Sequence, residues 1–306
     1  MKERLLSFLC ENQNPDGGWG YFPHKQSALE PTAYVVMALG QASGHDEILQ
    51  NAVGFLKARQ TAEGGWPINT TDTETAVWVS PLVGLSVLTT SGFDSSCQSA
   101  FAFVLKTFGK MPKNWLLHLS EWLGYGNPAN VNTNLGGWAW NPGTATWVEP
   151  TCYALLFLKR LQGKLPGEKV AVAISEAEAM VYDRTCKSGG WNYGNAQVLG
   201  EELRPYPLTT SLALIALQEY PSRIENQKSL AYLKQAIVVE KSALSLCFAG
   251  LCLDIYLQEW QNVFKQLDDI YRETQFMQSI KTAALALLVG QAHQGRNILK
   301  HRSVRT

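Results

Sequence analysis

Carboxylates recur where apolar segments of the sequence begin. Glu30 and Glu149 each precede a proline and a threonine at the start of an apolar run, and Asp72 and Glu74 lie just before the run that follows Ala76. Proline suits the first turn of a helix, and an acid there favours the positive end of the helix dipole. If the helices run parallel, Glu30, Glu74 and Glu149 gather at one end, where they could serve as a general acid, a metal site or a site for a cationic ligand. In the alternative interpretation each glutamate only satisfies its own helix N-terminus and loop amides.

Aromatic residues accompany these carboxylates, mostly in turn-rich segments. The candidate substrate contacts are Trp78, Trp138, Trp140, Trp147, Tyr153, Trp191, Tyr193 and Tyr206. Aromatic faces attract cations, so such a lining would suit a positively charged intermediate. Trp138 and Trp191 also occupy a repeated position, which favours a bracing role between helices. Trp78, Trp140 and Trp147 fall outside that position and are the better candidates for lining a cavity.

The repeated unit is a Gly-Gly-Trp triplet, a loop and an apolar helix. Its four tryptophans are Trp19, Trp66, Trp138 and Trp191. Gln13 and Gln60 precede the first two tryptophans at the same offset, with a Phe-Leu pair before each, whereas the third and fourth copies have lost this glutamine. Self-similarity of this kind indicates stacked supersecondary units.

Apolar residues at helical spacing predict an all-α protein. The predicted helices span 4–11, 30–41, 46–60, 76–90, 95–108, 114–123, 150–161, 168–184, 209–220, 226–239, 242–257, 260–271 and 277–293. Helices with few charges alternate with helices that have charged faces. This alternation predicts two concentric rings, which about twelve helices would close into a single (α/α)6 barrel.

Composition narrows the classes of function. The chain has 306 residues, 46% of them hydrophobic, and a net charge of zero, so we expect one domain over 1–306, with 109–135 as a candidate loop insertion, and no nucleic-acid partner. The start lacks the apolar core of a signal peptide, and no apolar run reaches the ~18 residues of a membrane span. With six cysteines at unpaired spacings, we expect reduced thiols and a cytoplasmic location. The polar tail 301–306 should fray.

The glutamine-to-tryptophan segments, Gln13 to Trp19 and Gln60 to Trp66, resemble the QW repeats of squalene–hopene and oxidosqualene cyclases. More broadly, the chain resembles the prenyltransferase/squalene-oxidase repeat superfamily. The resemblance covers roughly residues 1–220 by motif. It implies an α/α barrel that binds a hydrophobic isoprenoid, with no cofactor. Squalene cyclases of the family have two barrels, so this chain would supply only one, and a homo-oligomer, a partner barrel and peripheral contact with a membrane all stay open.

The acid motif of these cyclases is absent. In the resembling family, the middle acid of a DxDD motif before Thr-Ala protonates an alkene. Aligning the Thr-Ala pair that ends at Ala76 places Glu74 on the last aspartate of the motif and Thr73 on the catalytic one, with Asp72 beside them. In the first and third repeats Glu30 and Glu149 occupy the middle position instead.

Metal chemistry has little support in the sequence. Protein prenyltransferases of the superfamily bind zinc through Asp, Cys and His, and Asp183 with Cys186 invites the comparison. Their spacing differs from the Asp-x-Cys of that family, and the five histidines form no pair at metal-ligand spacing. We therefore expect no metal.

Three functions follow as hypotheses. The first is a terpene-cyclase-like isomerase or lyase that protonates an isoprenoid with Glu30, Glu149 or the Asp72 and Glu74 pair. The second is a non-catalytic module that binds an isoprenoid or a protein and has lost the acid. The third is a carbohydrate-active α/α barrel with paired carboxylates in an open cleft.

Overall fold

A computed structural model describes residues 1–112 and 130–301, except for the side chain of Gln261. The predicted helix 114–123, most of the candidate insertion 109–135 and the tail beyond residue 301 lie outside the described residues.

The described part of the chain holds twelve α-helices in two rings. The inner helices are α2 (Leu29–Leu39), α4 (Val79–Ser91), α6 (Val148–Leu161), α8 (Pro207–Ala216), α10 (Ala243–Ile255) and α12 (Ile280–Ala292). The outer helices are α1 (Lys2–Glu11), α3 (Asp46–Ala58), α5 (Ser95–Lys106), α7 (Glu168–Asp183), α9 (Ile224–Ala236) and α11 (Gln261–Thr274). A 3-10 turn, Gln275–Gln278, precedes α12.

Two antiparallel pairs of very short strands join the loops. Strand β1 (Gly109–Lys110) pairs with β2 (Gly136–Gly137), with Gly109 opposite Gly137. Strand β3 (Gln197–Val198) pairs with β4 (Glu201–Glu202).

The inner helices close a ring. Each packs against the next, α2 on α4, α4 on α6 and onward to α12, and α12 packs back on α2. Each outer helix packs on the inner helix that precedes it, and α1 packs on α12, so the first helix joins the last. The (α/α)6 barrel predicted from the sequence is confirmed.

Burial explains why the inner helices carry so few charges. Every residue of α2 is buried, Glu30 included. A helix that is apolar all round is enclosed by other helices, whereas an outer helix such as α11 is apolar on one stripe only. A charge on an inner helix is therefore exceptional and must have partners.

The tryptophan of each repeat connects its loop to an outer helix through a hydrogen bond. Each indole is fully buried, and its Nε1 donates to a carbonyl in the last turn of the helix before it. The acceptors of Trp19, Trp66, Trp138 and Trp191 are Leu9, Leu56, Val104 and Val181, at 2.6–2.8 Å.

A hydroxyl near the start of the next inner helix completes each unit. The backbone N–H of the four tryptophans donates to Thr32, Ser80, Thr151 and Thr210, at 2.8–3.0 Å. These contacts fix how each loop enters its inner helix.

The hydroxyl contacts correct the predicted register of the second repeat. Its hydroxyl residue is Ser80. Helix α4 begins at Val79, so the predicted start at Ala76 is wrong. Ala76 instead donates its N–H to the carbonyl of Trp66, as Ala28 does to Trp19. The Thr-Ala pair of the second repeat therefore lies in the loop.

Candidate functional site

The N-terminal ends of the inner helices lie together at one end of the barrel, which is called the mouth here. The second residues of α2, α6, α8, α10 and α12 and the residue just before α4 form one ring around this mouth: Glu30, Glu149, Leu208, Leu244, Lys281 and Trp78. All except Glu30 are partly exposed. The mouth therefore combines two carboxyl groups, one ammonium and a half-buried indole.

Glu30 is the most enclosed carboxyl of the mouth, with a side chain only 6% exposed. Lys281 Nζ donates to its Oε1 at 2.6 Å, and the Tyr21 hydroxyl donates to its Oε2 at 2.7 Å. Lys281 is itself only 15% exposed and lies 5.7 Å from the centroid of the Tyr34 ring. Buried charges need such partners, so Lys281 and Glu30 form a buried ion pair between α12 and α2.

Glu149 has weaker support. Among the described residues its Oε1 accepts one long hydrogen bond, 3.4 Å from the Tyr153 hydroxyl. Burial raises the pKa of Glu149 above its ordinary value, and the charge of Glu30 raises it further, although Lys281 and the Tyr153 hydrogen bond act in the opposite direction. Glu149 thus keeps a proton to higher pH than an exposed glutamate does.

A layer of aromatic residues lies one turn below the mouth. Tyr34 Oη and Tyr153 Oη are 2.8 Å apart, and the Tyr34 ring meets that of Phe248 edge-on with centroids 6.2 Å apart. These residues belong to α2, α6 and α10, which are not neighbours in the inner ring, so their contacts cross the barrel axis. All three are buried. Side chains therefore fill the axis at this level.

The tyrosines of this layer are neutral hydrogen-bond donors. Burial raises the pKa of Tyr34 and of Tyr153 well above its usual range, and the nearby carboxylates add to the effect. The Tyr153 hydroxyl donates a hydrogen bond to Glu149 and shares another with the Tyr34 hydroxyl. The layer thereby connects the core of α2 to the carboxyl on α6.

Loop aromatics stand beside the mouth. Trp78 and Trp140 meet edge-on with centroids 5.2 Å apart, and Tyr193 and Tyr206 meet at 5.4 Å. Trp147 directly precedes α6 and packs so closely on the loop of the fourth repeat that a Cβ added to Gly194 would lie 2.7 Å from its ring. These aromatic residues, which the sequence predicted as substrate contacts, therefore belong to loops next to Glu149.

Four other predicted site residues lie elsewhere. Trp138 and Trp191 are fully buried in the barrel wall, where their contacts are those of braces. Asp72 and Glu74 lie exposed on the loop before α4, and Asp72 accepts a hydrogen bond from Asn69. The predicted gathering of three glutamates thus becomes a gathering of two, because the shifted register of the second repeat puts Trp78 where an acid was expected.

Sequence reasoning missed Lys281, Tyr21 and Tyr34. A signal for Lys281 was present, since it holds the same position in α12 as Glu30 in α2 and Glu149 in α6. A cation near a helix N-terminus opposes the helix dipole, so an inner helix that starts with lysine implies an acidic neighbour. Tyr34 and Tyr153 follow Glu30 and Glu149 by one helical turn and share their face.

Within the described residues, no group of three or more His, Cys, Asp or Glu side chains could hold a metal ion. Asp183 of the candidate zinc pair instead accepts the backbone N–H of Asn132 and pairs with Arg184. All six cysteines are free thiols. None of the described helices is long and apolar enough to cross a membrane.

Comparison with known proteins supports the fold more than the function. No family model matches the chain. A drimenyl diphosphate synthase from Streptantibioticus cattleyicolor is 38% identical over 65 residues, a match that covers 21% of this chain and only 12% of the synthase.

Two solved structures share the whole barrel at low identity. The type II terpene cyclase MstE from Scytonema has a TM-score of 0.61 at 16% identity, covering 95% of this chain and 96% of that one. A complex of that cyclase holds geranylgeranyl dihydroxybenzoate as substrate. An alpha-amylase from Clostridium perfringens has a TM-score of 0.63 at 12% identity, with 96% and 98% covered. The chain thus has a terpene-cyclase-like α/α barrel, a fold that carbohydrate enzymes also use.

Proposed function

We propose that this protein binds a hydrophobic isoprenoid at the barrel mouth and cyclises it by protonation, with Glu149 as the acid. One observation carries the proposal: Glu149 is a carboxyl group whose pKa is raised by burial beside a second carboxylate. Such a group holds a transferable proton at a pH where exposed glutamates are ionised. The similarity to terpene cyclases in sequence and in fold supports an isoprenoid as the ligand.

In this mechanism the π electrons of a terminal alkene form a C–H bond with the Glu149 proton. The O–H bond breaks, leaving a carboxylate on Glu149 and a tertiary carbocation on the substrate. Lys281 favours this step because its positive charge stabilises the carboxylate that forms, as its lowering effect on the pKa of Glu149 indicates. Loss of a proton from the cyclised cation to a water molecule ends the reaction, and solvent returns a proton to the Glu149 carboxylate.

The rings around the mouth suit the cation. Trp78 and Trp140 are adjacent and the first is half-buried, so their faces could stabilise positive charge while excluding water. The layer of Tyr34, Tyr153 and Phe248 forms the floor beneath. The substrate therefore lies in the mouth, above that floor.

The filled axis favours a second candidate, a module that binds an isoprenoid without converting it. Tyr34, Tyr153 and Phe248 occupy the depth at which a long tunnel would run, and the DxDD motif is missing. A carbohydrate-active enzyme is less well supported, because Glu30 is enclosed and paired with Lys281 rather than exposed along a cleft. Peripheral membrane contact and a partner barrel remain predictions.

Product analysis tests the proposal. The purified protein is incubated with squalene, farnesyl diphosphate and geranylgeranyl diphosphate, and extracts are analysed by gas chromatography–mass spectrometry. We expect a cyclised product that Glu149→Gln abolishes, because glutamine has the same shape but no acidic proton. Glu63→Gln, at an exposed position on an outer loop, is the matched control.

The outcomes separate the candidates. A product lost in Glu149→Gln and kept in Glu63→Gln supports the cyclase. A product lost in Glu74→Gln instead would move the acid to the exposed loop and contradict the assignment. Bound isoprenoid recovered without conversion would favour the binding module.

A further inference from the structure

The connection between α11 and α12 contains a left-handed turn. Its four consecutive residues, Gln275–Gln278, have φ angles between 49° and 61°, and none of them is glycine. In this region the Cβ of an L-residue crowds the backbone, so such residues normally occur singly and each one costs free energy. A run of four persists only where the surrounding structure enforces it.

The length of the connection does not require this strain. Segment 237–242, which joins α9 to α10 at the same end of the barrel, is only one residue longer than segment 275–279. None of the backbone in 237–242 is left-handed. The two inner helices differ in their second residue, which is Leu244 in α10 and Lys281 in α12. The strained connection is therefore the one that brings a charged residue to the mouth.

Contacts on both sides hold the left-handed turn in place. Phe276 is only 3% exposed, and the centroid of its ring lies 5.1 Å from that of Tyr271 on α11. The Ser279 N–H donates to the Phe276 carbonyl at 3.0 Å, and the Ser279 hydroxyl accepts the N–H of Thr282 in α12. Met277, in contrast, is 78% exposed. Its backbone is held in the left-handed region while its side chain points to solvent.

The left-handed turn leads directly into the ion pair at the mouth. The Ile280 N–H donates to the Tyr21 carbonyl at 3.0 Å. The Tyr21 hydroxyl and the Lys281 ammonium donate to the two carboxylate oxygens of Glu30. These four residues form a closed circuit across the seam between α2 and α12, the first and last inner helices. Because an N–H in the first turn of a helix has no partner within the helix, protection of the Ile280 amide depends on this circuit.

We propose that the left-handed turn is a latch that positions Lys281. In its strained form the turn holds the ammonium group on Glu30, and relaxation of the turn to a right-handed backbone draws Lys281 out of the mouth. The ion pair and the Ile280 hydrogen bond balance the strain, so breaking either one favours the relaxed form. This coupling stands on the contacts alone, whereas its effect on catalysis rests on the proposed function. There, withdrawal of Lys281 removes the charge that stabilises the Glu149 carboxylate after proton transfer.

Amide hydrogen exchange at Ile280, followed by NMR, tests the latch. Valine fits the left-handed region poorly, whereas glycine enters it freely. Since the side chain of Met277 is exposed, both substitutions there act through the backbone. We expect exchange at Ile280 to be about tenfold faster in Met277→Val, because the closed form becomes costlier, and unchanged or slower in Met277→Gly. Lys281→Met should also accelerate exchange, because the ion pair opposes relaxation.

Leu257 provides the matched control. This residue is 82% exposed and has a φ of 54°, but it follows α10 at the end of the barrel opposite the mouth. Leu257→Val should lower Tm about as much as Met277→Val does and leave exchange at Ile280 unchanged. Equal acceleration in both valine variants would mean general destabilisation. That result, or no acceleration in Met277→Val, would overturn the latch.

Titration of Glu149 then separates the latch from the proposed function. Glu30, Lys281 and Tyr153 all face this carboxyl group, and Lys281 lowers its pKa. Withdrawal of Lys281 in Met277→Val should therefore raise the Glu149 midpoint, while Met277→Gly keeps the wild-type value. If the midpoint moves but no isoprenoid is converted, the proposed function fails alone. If product forms and Met277→Val changes neither the midpoint nor the pH profile of the reaction, the latch fails alone.

Discussion

Replacing Lys281 with methionine should destabilise the protein in a pH-dependent way. The two side chains have similar length, but the variant leaves the Glu30 carboxylate buried with the Tyr21 hydroxyl as its one remaining side-chain donor in the described part of the chain. At 2.6 Å the lost attraction is about 6 kcal/mol for an effective dielectric constant near 20. Desolvation offsets much of it, and breaking buried pairs typically costs about 3–5 kcal/mol.

The pH dependence follows from the two glutamates. Lys281 lowers the pKa of Glu149, so its removal lets burial and the Glu30 charge raise that pKa further. The folded state then binds more protons than the unfolded state above the ordinary glutamate pKa. Stability therefore falls as pH rises through the raised pKa of Glu149. The variant should lose more at pH 8 than at pH 5.

Thermal denaturation at both pH values measures this effect. For a chain of 306 residues, a loss of about 3 kcal/mol corresponds to a Tm lower by roughly 5 °C at pH 8, with partial recovery at pH 5. Lys241→Met, at an exposed lysine, should change Tm little at either pH. Adding Glu30→Gln to Lys281→Met should restore part of the loss. An equal fall at pH 5 and pH 8, or a fall no larger than in Lys241→Met, would refute the ion-pair reasoning.

Three further predictions concern a repeat tryptophan, the glycines of two helices and the carboxyl of Glu219. Trp191→Phe removes a buried 2.6 Å hydrogen bond and should cost about 1–3 kcal/mol in a denaturation experiment; an unchanged Tm would contradict its bracing role. Gly84→Ala puts a Cβ 2.9 Å from the Phe157 ring and should lower the free energy of unfolding by about 1–3 kcal/mol. In Gly54→Ala the new Cβ meets nothing within 4 Å, so this variant of α3 should be more stable by about 0.5–1 kcal/mol. The opposite order of stabilities would refute this description of the packing. Burial raises the pKa of Glu219, but its histidine and lysine partners lower it more and hold it at about 2. The stabilising effect of Glu219 is therefore complete above the ordinary glutamate pKa and is lost as pH falls through that value toward 2. Glu219→Gln should lower Tm more at pH 6 than at pH 3, and an equal effect at both would be contrary evidence.

Local patterns were sufficient to predict the barrel. The alternation of apolar helices with charged ones indicates which helices are buried in the inner ring. The tryptophan repeat indicates where each loop leads into an inner helix. The same patterns located Glu30 and Glu149 because an acid and a proline at a helix start are local signals. Glu30 and Glu149 lie at the same end of the barrel because the inner helices run parallel.

The partners of these glutamates could not be found in the same way. Lys281 reaches Glu30 only because α12 closes the ring onto α2, a contact between residues 251 positions apart. The error at Glu74 had a different cause: the second repeat has a longer loop between its tryptophan and its hydroxyl residue, Ser80, than the first and third repeats have. Matching a Thr-Ala pair without that hydrogen bond gave the wrong register.

Titration of Glu149 itself tests the central claim most directly. With 13C-labelled glutamate, the carboxyl signal that Glu149→Gln removes can be followed by NMR as a function of pH. We expect a midpoint clearly above the ordinary value of 4.5, and a still higher one in Lys281→Met. A midpoint at or below the ordinary value would mean that Glu149 is ionised like an exposed glutamate, and the mouth would then hold no acid for the proposed reaction.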